Sequence, residues 1–157
     1  MQVFIPYAQP IDVAQTLWND QKRYNKQIME CIQILRAMDV HTAWSNHPVV
    51  KMYKNNRDWL VCYAKCLSSY RLFKETGDKK YIGEANAWNI NADSCRPDFI
   101  KNSFINKDEI LIQHRKRLYT KAPELYPQFS KYGTSDINYY FVDGKILKYR
   151  NGKLIED

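Results

Sequence analysis

Apolar residues recur at helical spacing from Val13 to Met38, and this stripe constrains the fold more than any other feature of the chain. Val13, Leu17, Tyr24, Ile28, Cys31, Ile32, Leu35 and Met38 fall along one side of a helical wheel. Asp12 stands just before the stripe, where an N-cap is needed. The spacing predicts one long amphipathic helix from about Asp12 to Met38. Glu30 lies well away from the stripe, on the side that carries Arg23, Lys26, Gln27 and Gln33. A carboxylate among cations and amides stays ionised and suits a surface facing phosphates. An ordinary solvated helix face has the same make-up.

The rest of the chain follows the same logic. His41-Thr-Ala-Trp-Ser-Asn-His-Pro48 reads as a loop, because a proline disfavours helix at the residue before it. Trp44, Asn46 and His47 give that loop an aromatic surface and hydrogen-bonding groups, which suit a nucleic-acid reader or a capping loop packed by Trp44. A second helix is expected from Val49 to Thr76, stopped by Gly77 and edged by Lys51, Lys54, Arg57 and Lys65. Residues 78–105 read as a long irregular polar segment. A third helix is expected from Asp108 to Lys121, capped by Asn106 and ended by Pro123. His114, Arg115, Lys116, Arg117 and Lys121 make it strongly basic, and Tyr126, Phe129 and Tyr132 follow. In the tail, Asp143-Gly144 and Asn151-Gly152 separate short strand-like runs, the signature of tight hairpin turns. The expected fold is mainly α: a compact single domain of about three main helices with long loops and a small C-terminal β ribbon.

Composition bounds the function. At 157 residues, 45% of them apolar, the chain can bury a real core. A net charge of +7 favours polyanionic partners, nucleic acid first. The apolar runs are too short to span a bilayer, and the start lacks a signal-peptide pattern, so a soluble, cytoplasmic protein is expected. Cys31, Cys62, Cys66 and Cys95 fit free thiols in a reducing compartment. With His41, His47 and His114 scattered along the chain, no metal site is expected. The sequence also lacks a Gly-rich phosphate loop, a nucleophile elbow, a zincin motif and an EF-hand loop, which removes many enzyme classes.

The first residues add a chemical possibility. An α-amine titrates near ~7.7–8.0, so part of it is a neutral nucleophile at physiological pH. The segment Met1-Gln-Val-Phe-Ile-Pro6 is short and apolar, suited to lie against the body of a domain. A nearby carboxylate such as Glu30 would supply acid–base help.

Four motifs, in order, carry a resemblance. They are the Met1-to-Pro6 start, Lys22-Arg-Tyr-Asn-Lys-Gln-Ile-Met-Glu30 with Ile32-Gln-Ile-Leu35, Trp44-Ser-Asn-His-Pro-Val-Val-Lys-Met-Tyr53, and His114-Arg-Lys-Arg-Leu-Tyr-Thr-Lys-Ala-Pro-Glu-Leu-Tyr126. Together they resemble the pyrimidine-dimer DNA glycosylases of the phage endonuclease V type, in their bacterial branch, over about residues 1–130. The helical glycosylase-like domain is expected over 1–135; the tail after about Tyr139 has no counterpart in the family, and its turn signals make 136–157 a β-hairpin appendage. The resemblance implies a monomeric enzyme without cofactor, acting on double-stranded DNA that contains a damaged base. Met1 would supply the amine that attacks C1′ of the damaged nucleotide, passing through a Schiff base to strand cleavage, and Glu30 the essential carboxylate. Arg23, Lys26, Gln27, Trp44, Asn46, His47, Lys51, His114, Arg115, Arg117, Lys121 and Tyr126 become candidate DNA contacts.

The chain also departs from the family's phage members, which carry arginines after the nucleophile and beside the catalytic glutamate. Gln2, Met29 and Gln33 stand there instead, so a phosphate clamp would be built differently and another damaged base becomes a possible substrate. Two other readings stay open: a non-catalytic basic DNA-binding module, and a helical protein-interaction or inhibitor protein of the same fold.

Overall fold

A computed structural model describes residues 2–101 and 104–155, with the backbone alone for 104–107. The fold is mainly α with a small C-terminal sheet, as the sequence predicts. The chain divides into two compact units.

The first unit comprises the residues up to Val3 and Tyr7–Pro97. It holds α1 (Pro10–Leu17), α2 (Gln21–Asp39), α3 (Pro48–Tyr53), α4 (Arg57–Thr76) and α5 (Lys79–Ser94). The single helix expected over 12–38 is two helices. The Asp20 side chain accepts the backbone N–H of Arg23 and starts α2 afresh, whereas Asp12 sits inside the first turn of α1 behind Pro10. A capped break of this kind satisfies orphan N–H donors that would otherwise be costly to bury. The helix expected over 49–76 is likewise interrupted: Asn56 Nδ2 donates to Met52 O at 3.0 Å, closing α3, and Asn56 is the N-cap position of α4. Gly77 takes a left-handed φ of 71° and ends α4 as expected. Asp78 then caps α5 by accepting the Lys80 N–H, so most of the segment read as irregular is helix.

The core of this unit is aromatic. The Trp59 ring lies near-parallel to Tyr53 (6.0 Å, 10°) and Tyr63 (5.2 Å, 28°), all three fully buried. Tyr24 donates its hydroxyl to Leu67 O at 2.5 Å, tying α2 to α4, and α5 packs along α4. The buried side of α2 is rotated from the stripe read in the sequence. Tyr24, Gln27, Glu30, Cys31, Ile34 and Ala37 face inward, while Met29 and Ile32 are exposed.

The second unit comprises Phe4–Pro6 and the chain from Asp98. It contains α6 (Asp98–Lys101), α7 (Phe104–Lys121), a 3-10 segment (Pro127–Tyr132) and strands β1 (Ile137–Val142), β2 (Lys145–Arg150) and β3 (Lys153–Leu154). The third helix therefore begins at Phe104, and Asn106 lies within it instead of capping it. The strands form an antiparallel sheet in the order β1-β2-β3. Val142 pairs with Lys145 across Asp143-Gly144, whose φ values of 52° and 78° are those of a tight primed turn. Asn151-Gly152 repeats the device between β2 and β3, at 51° and 77°. The sheet is fastened to α7: Gln113 Nε2 donates to Ser135 Oγ and to Ile137 O, each at 2.6 Å. No described helix is long and apolar enough to cross a membrane.

Candidate active site and nucleic-acid interface

Two side chains of α2 grip the backbone of Gln2. Glu30 Oε2 accepts the Gln2 N–H at 3.3 Å, and Gln27 Nε2 donates to Gln2 O at 3.3 Å. Gln27 and Glu30 are three positions apart, hence neighbours on one helix face, and both are buried. Gln2 is held by both of its peptide groups. Met1 itself lies outside the described residues.

The environment of Glu30 is unlike the solvated polar face read from the sequence. Burial raises its pKa above the ordinary carboxyl value. The charge of the amino terminus, the Gln2 N–H, Lys26 and Arg23 pull it back in that order. Burial wins, so the carboxyl takes up a proton more readily than a free glutamate. A carboxyl poised in this way can both give and take protons.

The 41–47 loop is folded on itself. Thr42 N–H donates to Ser45 Oγ at 2.8 Å, and Ser45 Oγ donates to Ala37 O at 3.1 Å, anchoring the loop to the end of α2. His47 is half-buried, and its Nδ1 accepts the Val49 N–H at 3.1 Å, so it caps α3 with the neutral ring. Burial, and then the amino-terminal charge, lowers its pKa. The ring of Trp44, 48% exposed, lies 5.7 Å from that of His47. Beside the loop is a recess of about 350 Å³ with Asn46, Lys51, Lys54 and His41 around Ala37 and Val50. Arg23 is half-buried on α2, while Lys26 and Lys51 are exposed on α2 and α3.

The basic residues of α7 have different surroundings, within the second unit. His114 is fully buried, and its Nδ1 accepts the Ile5 N–H at 2.8 Å. Its ring meets Phe4 edge-on at 5.8 Å. Arg115 Nε donates to Pro6 O and its Nη1 to Tyr132 Oη, both at 2.8 Å. Arg117 Nε donates to Asn138 Oδ1 at 3.0 Å and its Nη1 to Ser135 O at 2.9 Å. Tyr126 is buried and stacked on Phe129 at 6.1 Å, and Lys121 is exposed at the end of α7. His114, Arg115 and Arg117 thus tie down residues 5–6 and 132–138.

The candidates in the first unit form one group: Gln27 and Glu30 on Gln2, with Arg23 and Lys26 influencing Glu30 electrostatically. Gln2 is the member that sequence reading missed. Its position after the first residue was the available signal, but only the long-range hydrogen bonds show that it is gripped. Among the described residues no three His, Cys, Asp or Glu side chains are grouped to hold a metal ion.

Residues 1–70 match the family model described as pyrimidine dimer DNA glycosylase. This match bears out the family resemblance and extends from the start through Tyr70, taking in Gln2, Gln27, Glu30 and the Trp44–Tyr53 segment. These residues carry the sequence pattern of a DNA repair glycosylase family. No curated protein and no solved structure matches the chain significantly.

Proposed function

From the match of residues 1–70 to the pyrimidine dimer DNA glycosylases and the grip on Gln2, we propose that this chain is a DNA repair glycosylase with abasic-site lyase activity, acting on damaged pyrimidines in duplex DNA. The observation that carries the proposal is the hydrogen bond from the Gln2 N–H to Glu30. It ties the peptide next to the first residue to a buried carboxyl whose pKa is raised.

In the proposed reaction the neutral amine of Met1 attacks C1′ of the damaged nucleotide. The bond from C1′ to the base breaks, and the base leaves with the electron pair and takes a proton. The nitrogen, now bonded to C1′, loses one proton; its lone pair then expels O4′, which takes a proton, and an iminium forms at C1′. Abstraction of a C2′ proton then expels the 3′ phosphate by β-elimination. Glu30 stabilises the cationic intermediate as carboxylate and relays the protons. Gln27 orients the amine indirectly, through Gln2 O. Arg23, Lys26 and Lys51 would contact phosphates, and Trp44 and Asn46 the groove of a distorted duplex. No cofactor is needed for any of these steps.

Incision of duplex DNA carrying a cyclobutane pyrimidine dimer, or an abasic site, tests the reading. Wild-type protein should cut both. Cutting of the abasic duplex alone would leave the lyase and remove the dimer as substrate. Failure on both would overturn the proposal.

A further inference from the structure

Cys62 and Cys95 bring their sulfur atoms to 4.0 Å, Cys62 from α4 and Cys95 from the C-cap of α5. The repair chemistry makes no use of either. We propose that this pair is a site of reversible oxidation, in which a peroxide converts the two thiols into a disulfide joining the end of α5 to α4.

The geometry favours this pair over the other two cysteines. Cys31 and Cys66 have no exposed surface, whereas Cys95 is partly open to solvent. A disulfide needs the sulfurs to close to about 2.05 Å. Cys95 is the C-cap of α5, with φ −122° and ψ 38°, and its backbone N–H donates to Ala92 O at 3.2 Å. Its thiol donates weakly to Asn91 O at 3.4 Å, a contact easily given up.

The order of events follows from exposure. The Cys95 thiolate attacks a hydroperoxide, the O–O bond breaks, and Cys95 becomes a sulfenic acid while an alcohol or water leaves. The Cys62 sulfur then attacks the Cys95 sulfur. The S–O bond breaks, and the sulfenic oxygen leaves as water with the Cys62 proton. Two electrons pass from the dithiol to the peroxide. Burial, and then the neighbouring Cys95, push the Cys62 thiol up to about 11, so Cys62 acts second and only on a sulfur already beside it.

The test is hydrogen peroxide treatment of the whole protein, followed by alkylation, digestion and mass spectrometry. Wild type should yield a Cys62–Cys95 cross-linked peptide, two hydrogens lighter than the sum, reversed by a phosphine reductant. Cys62→Ser should stop at a Cys95 sulfenic acid trapped by dimedone, and Cys95→Ser should yield no cross-link. Cys66→Ser should cross-link like wild type. Oxidation of wild-type Cys95 to sulfinic acid without a cross-link, or a cross-link through Cys66, would overturn the proposal.

Discussion

Glu30 accepts the backbone N–H of Gln2 at 3.3 Å, across 28 positions of sequence. The amide variant Glu30→Gln keeps an oxygen for that bond but can neither carry negative charge nor relay a proton. Strand incision by Glu30→Gln should fall by about 10²–10⁴-fold, the usual contribution of a positioned acid or base. Duplex binding, measured by fluorescence anisotropy, should remain. Normal incision by the variant would take Glu30 out of the chemistry.

Gln27 holds the other peptide group of Gln2, and its role in the proposed reaction is positional. Gln27→Leu keeps the bulk and removes the donor. Its kcat on abasic duplex should drop about tenfold with KM little changed, the mark of an interaction that aligns the reacting groups. A loss confined to KM would make Gln27 a DNA contact.

Folding raises the pKa of Glu30, so the folded state holds that proton more tightly than the unfolded chain. The stability linked to this group is fully present below its unfolded pKa and is lost as pH rises through the folded one. Glu30→Gln has no such proton. The melting temperature of the variant minus that of wild type should therefore increase from about pH 4 to about pH 8. A difference that is flat or falls with pH would contradict the burial-driven shift.

His114 works in the opposite direction. Burial lowers its pKa to about 3, and its Nδ1 needs to stay unprotonated to accept the Ile5 N–H. The stability linked to it is present above the unfolded pKa near ~6.5 and is lost as pH falls towards about 3. His114→Asn places an acceptor close to the same spot without a titrating ring. Acid unfolding followed by circular dichroism should show a weaker fall in stability across that window for the variant. Coincident acid curves would contradict the assignment.

The cations of the two units should behave differently on DNA. If Lys26 and Lys51 contact phosphates, each alanine variant should lower the slope of log affinity against log salt by about 0.9. Arg117→Ala should leave that slope unchanged and cost about 1–2 kcal/mol of stability, because its guanidinium holds Asn138 and Ser135. An Arg117 variant with a reduced salt slope would move the interface onto α7.

The sequence made the helical class and the β ribbon legible, because helical spacing and Asp-Gly and Asn-Gly turns are local signals. The breaks at Asp20 and Asn56 were hidden, since apolar residues on both sides keep helical spacing while the caps are single polar residues. Helix α5 reads as irregular in the sequence because Gly83 and its several asparagines obscure the period. Its fully buried side is only Ala85 and Ala92, a narrow small-residue face against α4 that leaves no apolar stripe. The family resemblance singles out Glu30 as a candidate, but not its burial. Its partner is a backbone amide far away in sequence, and no periodicity encodes that. The basic run of α7 looked like an exposed face. His114, Arg115 and Arg117 instead hydrogen-bond backbone and side-chain groups of residues 5–6 and 132–138.

Borohydride reduction of the protein on duplex DNA with one abasic site, followed by peptide mapping of the adduct, identifies the nitrogen that forms the Schiff base. A covalent adduct is expected on the α-amine of Met1, lost when that amine is methylated beforehand. An adduct on a lysine side chain, or strand cleavage that survives blocking of the amine, would contradict the proposed role of Met1.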